Sequence, residues 1–310
     1  MFYGANGHHD YTQDIATQIA GLRTMGMEPG YYRVAWDGPH CLDYLVNLAS
    51  ALRESDIEMI CCVNLTMTDQ QGNVFATEAQ AFHEGWKVGA RVAAALIPLG
   101  VTLFETGNEL DAKNGIRVPV QDVQGGVRED FLNDIFPALR GVINGCGQAI
   151  RTMGGRDTQI LSNAFTACSF ACADMLWDGE QPDGSGGHQR IRWDGTNWHN
   201  YACYGSMLNM SMDYQKPNVN LLDHLKAKYG VPIYITEWNG NEGDTDDQRT
   251  AWANQFMSEI YGAGRSLFDV RAMCVYQLIC GDPWGVLNFD QTVQQNFGQT
   301  VQEFIALNPA

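Results

Sequence analysis

Short apolar runs and longer amphipathic segments alternate along the whole 310-residue chain. The apolar runs carry few polar residues at either parity, which is typical of parallel strands that are buried on both faces. Eight runs have the length of strands, and we predict them at residues 2–8, 31–37, 58–65, 101–109, 159–165, 196–202, 232–238 and 272–279.

Between these runs, apolar residues recur at helical spacing and polar residues occupy the opposite face. The clearest segments predict helices at residues 13–25, 41–53, 78–97, 128–151, 221–229 and 247–261. The segments after the fifth and the eighth strand have a weaker helical pattern.

Eight strand–helix units in 310 residues average about 39 residues each, which favours an α/β fold built as a (β/α)8 (TIM) barrel. We predict a single catalytic domain over residues 1–310 and interpret the Gly- and Asp-rich segment 177–195 as an insertion within it. The alternative is a doubly wound open sheet. That fold favours a G-x-G-x-x-G loop after the first strand, and the sequence G-A-N-G-H-H at residues 4–9 lacks this spacing.

The charge of the chain narrows the range of partners. Nineteen basic and 36 acidic residues give a net charge of −17, which argues against nucleic acid and anionic membrane surfaces as partners. No apolar run approaches the roughly 18 residues that a membrane-spanning helix needs, so we expect no membrane insertion. The sequence gives no signal about the oligomeric state.

The nine cysteines, three of them in predicted core strands (Cys61, Cys62 and Cys274), form no C-x-x-C pair. We interpret them as small buried side chains in a reducing compartment. The chain as written starts without a basic segment followed by an apolar one, which predicts a cytoplasmic location unless an export leader has been removed.

Two predicted strands carry a glutamate at their end, Glu109 on the fourth and Glu237 on the seventh. Active sites of these barrels lie at the C-terminal ends of the strands, so the fold brings the two carboxylates to one mouth. An unpaired carboxylate in an apolar strand is costly. Paired carboxylates therefore point to glycoside hydrolysis, in which one protonates the leaving oxygen and the other attacks or activates water.

Four motifs resemble those of clan A glycoside hydrolases. The E-T-G-N-E at 105–109 resembles the E-x-W-N-E of strand four, and I-T-E-W at 235–238 resembles the nucleophile motif of strand seven. W-H-N-Y at 198–201 resembles the H-x-Y of strand six, and G-V-L-N-F-D at 285–290 resembles the G-L-x-D turn after strand eight. Within the clan the chain resembles family 39 most and family 5 next.

The resemblance implies a retaining glycosidase that acts on a β-linked glycan or oligosaccharide. It implies that Glu109 is the acid/base, that Glu237 is the nucleophile, and that Asn108 binds the sugar 2-hydroxyl. No metal, nucleotide or flavin cofactor is needed. Terminal or internal cleavage, and hydrolysis or transglycosylation, are left open.

Further residues are expected around this pair. His199 and Tyr201 share one strand parity and face the mouth, where Tyr201 can donate to Glu237. Arg33 lies in an apolar run and needs a carboxylate partner, for which Glu237 is the natural candidate and Glu105 a structural one.

Three tryptophans near strand ends, Trp36, Trp238 and Trp284, are predicted to stack on sugar rings, and His8 is predicted to line the pocket. Two positions depart from the family pattern. Gly107 stands where the strand-four motif has an aromatic residue, and Gln277 stands near the usual strand-eight tryptophan.

Two other functions are alternatives for this sequence. The H-H-D cluster at residues 8–10 suggests a metal-dependent barrel hydrolase, but adjacent histidines on a strand point to opposite faces. A non-catalytic carbohydrate-binding barrel would be expected to have lost one of the two glutamates, and both are present.

Overall fold

The structure of the chain is a computed structural model that describes residues 2–7, 11–119, 125–166, 168–210, 218–280 and 284–310. Its eight strands are β1 (Tyr3–Asn6), β2 (Gly30–Trp36), β3 (Ile57–Val63), β4 (Leu103–Glu105), β5 (Gln159–Leu161), β6 (Thr196–Tyr201), β7 (Ile233–Asn239) and β8 (Val270–Val275). All pair in parallel, in the order β5-β4-β3-β2-β1-β8-β7-β6.

The sheet curls into a barrel that closes between β5 and β6. Two isolated parallel bridges lie at this seam, Leu161 with Gly195 and Phe165 with Trp198. The N–H of His199 also donates to the carbonyl of Phe165 at 2.9 Å. The predicted (β/α)8 barrel is thus confirmed, and the open doubly wound sheet is wrong.

The helices are α1 (Ile15–Thr24), α2 (Leu42–Leu52), α3 (Glu78–Leu96), α4 (Phe136–Gly154), α5 (Phe170–Asp178), α6 (Leu221–Tyr229), α7 (Asp246–Glu259), α8 (Arg265–Phe268) and α9 (Phe297–Leu307). A π-helical turn, Ile260–Gly264, joins α7 to α8. Each predicted helix is present, and α5 and α9 fill the places after the fifth and eighth strands where the pattern was weak.

The largest difference from prediction is the start of α4, which begins at Phe136 and not at residue 128. Residues Arg128–Asp130 form a separate 3-10 turn. Pro137 lies in the first turn of α4, where its missing N–H leaves no hydrogen bond unmade. A helix continued from residue 128 would place this proline in its interior, where the ring clashes with the preceding turn.

The interior of the barrel has an apolar floor and a charged layer above it. The floor consists of the side chains of Tyr31, Ile60, Leu103, Leu161, Tyr234, Ala272 and Cys274. Two residues further along β2 and β4 stand Arg33 and Glu105, both buried, and the two-residue period of a strand keeps them on the inner face. The charged layer therefore lies toward the C-terminal ends of the strands.

A second, larger apolar cluster packs the outer faces of the strands against the helices. Among the helices that the structure describes, none is long and apolar enough to cross a bilayer.

Candidate active site

Glu109 lies beyond β4 on a segment that leaves the strand conformation. Gly107 has a φ of +129°, and a Cβ there would lie 2.7 Å from Oδ1 of Asn163, so a side chain at this position is strained and crowded. Glu109 itself has a φ of +53°, and its N–H donates to the carbonyl of Ala164 at 2.9 Å. The predicted strand 101–109 is therefore wrong at its end: β4 stops at Glu105, and Glu109 projects from the following turn.

Glu237 lies in β7 and reaches the barrel interior through a register shift. Trp198 pairs with Ile235, whereas His199 pairs with Glu237, so Thr236 is the extra residue of a bulge. Ile235 belongs to the apolar cluster between the strands and the helices, so its side chain faces outward. Strict alternation along β7 would make the Glu237 side chain face outward as well. The bulge changes this direction, and the Glu237 side chain faces inward.

Arg33 joins the charged groups of the interior. Its Nε donates to Oε2 of Glu105 at 2.8 Å, and its Nη1 donates to Oε1 of Glu237 at 2.5 Å. Nη1 also donates to Oδ1 of Asn6 at 2.8 Å, and Nη2 donates to Oδ1 of Asn108 at 2.7 Å. The Arg33 side chain is 3% exposed, and acceptors surround its guanidinium, which is what a buried charge requires.

These contacts determine the charge state of Glu237. Burial acts to raise the pKa of its carboxyl, but His199, Arg33 and the hydroxyl of Tyr201 outweigh burial and bring the pKa below its usual value. Glu237 is therefore an ionised carboxylate at neutral pH.

Two side chains of β6 contact the glutamates. The hydroxyl of Tyr201 donates to Oε2 of Glu237 at 2.7 Å. Burial and then the charge of Glu237 raise the pKa of Tyr201 well above its usual value, so the phenol stays a neutral donor. Nδ1 of His199 lies 2.9 Å from Oε1 of Glu109 and 3.5 Å from Oε2 of Glu237, so the imidazole bridges the pair.

One carboxylate oxygen of Glu109, one of Glu237 and one ring nitrogen of His199 lie within 4.8 Å of one another. Such a set of donors could also hold a metal ion. Arg33, however, already places a positive charge 2.5 Å from the Glu237 carboxylate, and this charge repels a cation.

A cavity of about 460 Å³ opens over the pair. Its lining residues are Asn108, Glu109, Tyr201, Glu237, Glu242, Tyr276 and Trp284. Two of them were not singled out from the sequence. Tyr276 directly follows β8, so the strand-end rule would have found it if the end of strand eight had been placed correctly. Glu242 lies in the loop after β7, and nothing in the sequence distinguishes it from neighbouring acidic residues.

The three predicted stacking tryptophans have different places. Trp284 lines the cavity and meets Tyr201 and Tyr276 edge to face, with ring centroids 6.2 and 6.1 Å away. Trp238 is buried on the outer side of β7 against Phe256, 5.3 Å between centroids.

Trp36 is also buried, and it lines a separate cavity of about 680 Å³ beside β2 and β3. The fold thus brings Trp284, and not the other two tryptophans, to the cavity over Glu109 and Glu237. His8 lies outside the described residues, as does the rest of the H-H-D cluster, so both expectations about this segment stay predictions.

Comparison with known proteins identifies structural neighbours only. No family model matches the chain, and no curated protein matches it. The AHE enzyme from Alicyclobacillus herbarius is similar with a TM-score of 0.68 and 13% identity, over 99% of this chain and 98% of that chain.

A psychrophilic β-glucosidase from Micrococcus antarcticus is similar with a TM-score of 0.64 and 13% identity, over 100% of this chain and 97% of that chain. A β-glucosidase from Thermotoga maritima in complex with noeuromycin is similar with a TM-score of 0.64 and 14% identity, over 97% and 87%. At these identities the likeness establishes the barrel fold.

Proposed function

We propose that the chain is a retaining β-glycoside hydrolase in which Glu237 is the nucleophile and Glu109 the acid/base. The observation that carries this proposal is the closeness of two carboxylates in different environments, Glu109 and Glu237. One oxygen of Glu109 lies within 4.8 Å of one oxygen of Glu237. Retaining enzymes place the two carboxyl groups about 5–5.5 Å apart, and inverting enzymes about 6.5–9.5 Å apart.

In the first step a carboxylate oxygen of Glu237 attacks the anomeric carbon, and the bond from that carbon to the leaving oxygen breaks. The leaving oxygen takes the electron pair and receives a proton from Glu109. Glu237 is suited to attack because Arg33 and Tyr201 keep it ionised and oriented. The product is a glycosyl ester of Glu237.

In the second step water occupies the place of the leaving group. Glu109, now a carboxylate, accepts a proton from this water as its oxygen attacks the anomeric carbon, and Glu237 departs. His199 orients Glu109 in both steps through its contact with Oε1. Two inversions give a product with the original β configuration.

The other residues around the cavity serve the sugar. Arg33 holds Oδ1 of Asn108, so the Asn108 amide nitrogen is the group that faces the 2-hydroxyl. Trp284 provides an aromatic face beside the catalytic pair. The substrate class is a β-linked glycan or oligosaccharide, in agreement with structural neighbours that are named β-glucosidases. Membership of clan A, close to family 39, is part of the same proposal.

Hydrolysis of aryl β-glycosides tests the proposal, with a panel of xyloside, glucoside, galactoside and arabinoside. We expect activity on at least one of them to be lost in Glu237→Ala and to return with azide as the α-glycosyl azide. Glu58→Ala is the control. Glu58 lies at the start of β3, beside a cavity at the opposite end of the barrel from Glu237. Undiminished activity in Glu237→Ala would contradict the mechanism.

A further inference from the structure

A buried network centred on Asp111 lies directly behind Glu109. The carboxylate of Asp111 has no exposure to solvent. Its Oδ1 accepts from Nδ2 of Asn163 at 3.0 Å, and its Oδ2 accepts from Oγ1 of Thr166 at 2.6 Å and from Nη2 of Arg117 at 3.2 Å. Asp111 is thus fixed to the segment that follows β5.

The same network holds the main chain on both sides of Glu109. Oδ1 of Asn163 accepts from the N–H of Leu110 at 3.2 Å, while Glu109 itself donates to the carbonyl of Ala164. Nε of Arg117 donates to the carbonyl of Asp111 at 3.0 Å. Successive peptide units from residue 109 to residue 111 are therefore tied to neighbouring chain.

Glu109 needs such support because its backbone is left-handed, with a φ of +53°. A residue other than glycine persists in this region only where surrounding contacts hold it. The direction of the Glu109 side chain depends on this backbone, because a return to an extended conformation would carry its carboxyl away from His199.

We propose that Asp111 is a positioning residue for proton transfer by Glu109. The proposal rests on the function proposed above. Asp111 touches no substrate, and it acts by keeping residue 109 in the conformation that aims the acid at the leaving oxygen. Its role is separable from general stability because the network controls one catalytic group and leaves the nucleophile on β7 untouched.

The identity of the residue matters because every group on the Asp111 carboxylate is a donor: Asn163 Nδ2, Thr166 Oγ1, the Thr166 N–H and Arg117 Nη2. In Asp111→Asn, whichever way the amide turns, an NH2 group faces one of these donors. The substitution keeps the shape of the side chain but replaces at least one hydrogen bond of the network with a contact between two donors.

Two leaving groups distinguish a loss of positioning from a loss of structure. A phenyl β-glycoside needs a proton on its leaving oxygen, whereas a 2,4-dinitrophenyl β-glycoside of the same sugar leaves without one. For Asp111→Asn we expect kcat/KM to fall at least about tenfold on the phenyl glycoside and less than about twofold on the dinitrophenyl glycoside.

Asp194→Asn is the matched control. Asp194 pairs with Arg151 at 3.0 Å and accepts from the N–H of Ile160 at 2.8 Å, but it lies at the N-terminal end of β6. We expect this variant to change kcat/KM by the same factor for both substrates. Rates are referred to the folded fraction, measured by near-ultraviolet circular dichroism.

If Asp111→Asn does not fold, the pair Thr166→Val and Thr166→Ser replaces it. We expect Thr166→Val, which lacks the hydroxyl on Asp111, to lose activity selectively on the phenyl glycoside, and Thr166→Ser to retain it. Equal losses on both substrates, or no loss, would overturn the positioning role and leave the proposed function intact. A wild type that cleaves neither glycoside would overturn both.

Discussion

Arg33 is the residue on which the charged interior depends. It makes hydrogen bonds to both Glu105 and Glu237, and all three side chains are buried. Three buried ionised groups are tolerated because each has its partners in place. If the arginine were absent, two carboxylates would remain in a region from which solvent is largely excluded.

We predict that Arg33→Met destabilises the fold by about 3–5 kcal/mol, because breaking a buried pair leaves uncompensated charge. Urea unfolding at pH 7 measures the loss. The double variant Arg33→Met/Glu105→Gln removes one of the stranded charges and should recover part of it. A double variant less stable than Arg33→Met would contradict this explanation.

The pKa of Glu237 makes a prediction for stability against pH. Its folded-state pKa is lowered, so its stabilising contribution is complete above the unfolded value of about 4.3 and is lost as the pH falls through the lower folded value. The free energy of unfolding of wild type should therefore fall more than that of Glu237→Gln between about pH 6 and pH 3.

Glu58 provides a control of opposite sign, since partial desolvation of its exposed side chain raises its pKa. The stabilising contribution of Glu58 is complete below its unfolded pKa and is lost as the pH rises through the higher folded value. On acidification the free energy of unfolding of wild type should therefore rise relative to that of Glu58→Gln. Chemical unfolding of the three proteins at several pH values measures both effects. If the free energy of unfolding depended on pH in the same way in wild type and Glu237→Gln, the lowered pKa of Glu237 would be contradicted.

At the scale of single residues, the grouping of Glu109, Glu237 and Arg33 in one candidate site could be predicted from sequence. Glu109 and Glu237 stand out because each closes an apolar run of the sequence, where an unpaired carboxylate is costly, and the same reasoning pairs Arg33 with a carboxylate. The tryptophans could not be sorted in this way. A large aromatic residue near a strand end is favourable both under a helix and at the mouth, and only the side to which it points separates Trp284 from Trp238.

At the scale of elements, α3 and α4 pack with their backbones in close approach. Glycines spaced four apart line both surfaces: Gly85 and Gly89 on α3, Gly141 and Gly145 on α4. A Cβ on Gly145 would lie 2.0 Å from the carbonyl oxygen of Phe82, so the backbones nearly touch. The glycine spacing is visible in the sequence, but it does not by itself predict that α3 and α4 pack against each other.

Gly145→Ala should destabilise the protein by about 1–3 kcal/mol, because the added methyl forces the two helices apart. Gly147→Ala, on the same helix, has ordinary contacts at 3.6 Å or more and should be neutral or gain up to about 1 kcal/mol from helix propensity. Thermal unfolding of the two variants measures the contrast. Equal effects would mean that the close approach is not what requires glycine at position 145.

Two elements that shape the site could not be derived from the sequence. The bulge in β7 depends on how that strand registers with β6, and an apolar run carries no mark of one extra residue at Thr236. The end of β4 depends on Gly107 meeting Asn163, which belongs to another strand–helix unit. Both features redirect one of the two glutamates that we propose as catalytic, and both arise from contacts between segments that are distant in the chain.

For the whole molecule, the alternation of strands and helices was sufficient to predict the barrel, because eight parallel strands with short connections have few alternative arrangements. The net charge of −17 is reflected in the proposed substrate cavity, whose lining includes three carboxylates: Glu109, Glu237 and Glu242. Arg33 lies beneath this lining and is already paired.

We therefore predict discrimination against anionic sugars. An aryl β-glucuronide should be cleaved with a kcat/KM at least about tenfold lower than the aryl β-glucoside, since a like charge brought into such a site costs several kcal/mol. Steady-state kinetics of the two substrates at equal ionic strength provide the comparison. Glu242→Gln should narrow the difference, and a preference for the glucuronide would contradict this electrostatic argument.

The most direct test of the central proposal is to trap the glycosyl-enzyme. A 2-deoxy-2-fluoro β-glycoside with a dinitrophenyl leaving group forms the covalent ester and slows its hydrolysis, and mass spectrometry of the intact and digested protein locates the sugar. We predict a mass increase of one fluorosugar, carried by the peptide that contains Glu237 and absent in Glu237→Ala. A label on Glu109, or an active enzyme whose first product has the α configuration and which takes no label, would contradict it.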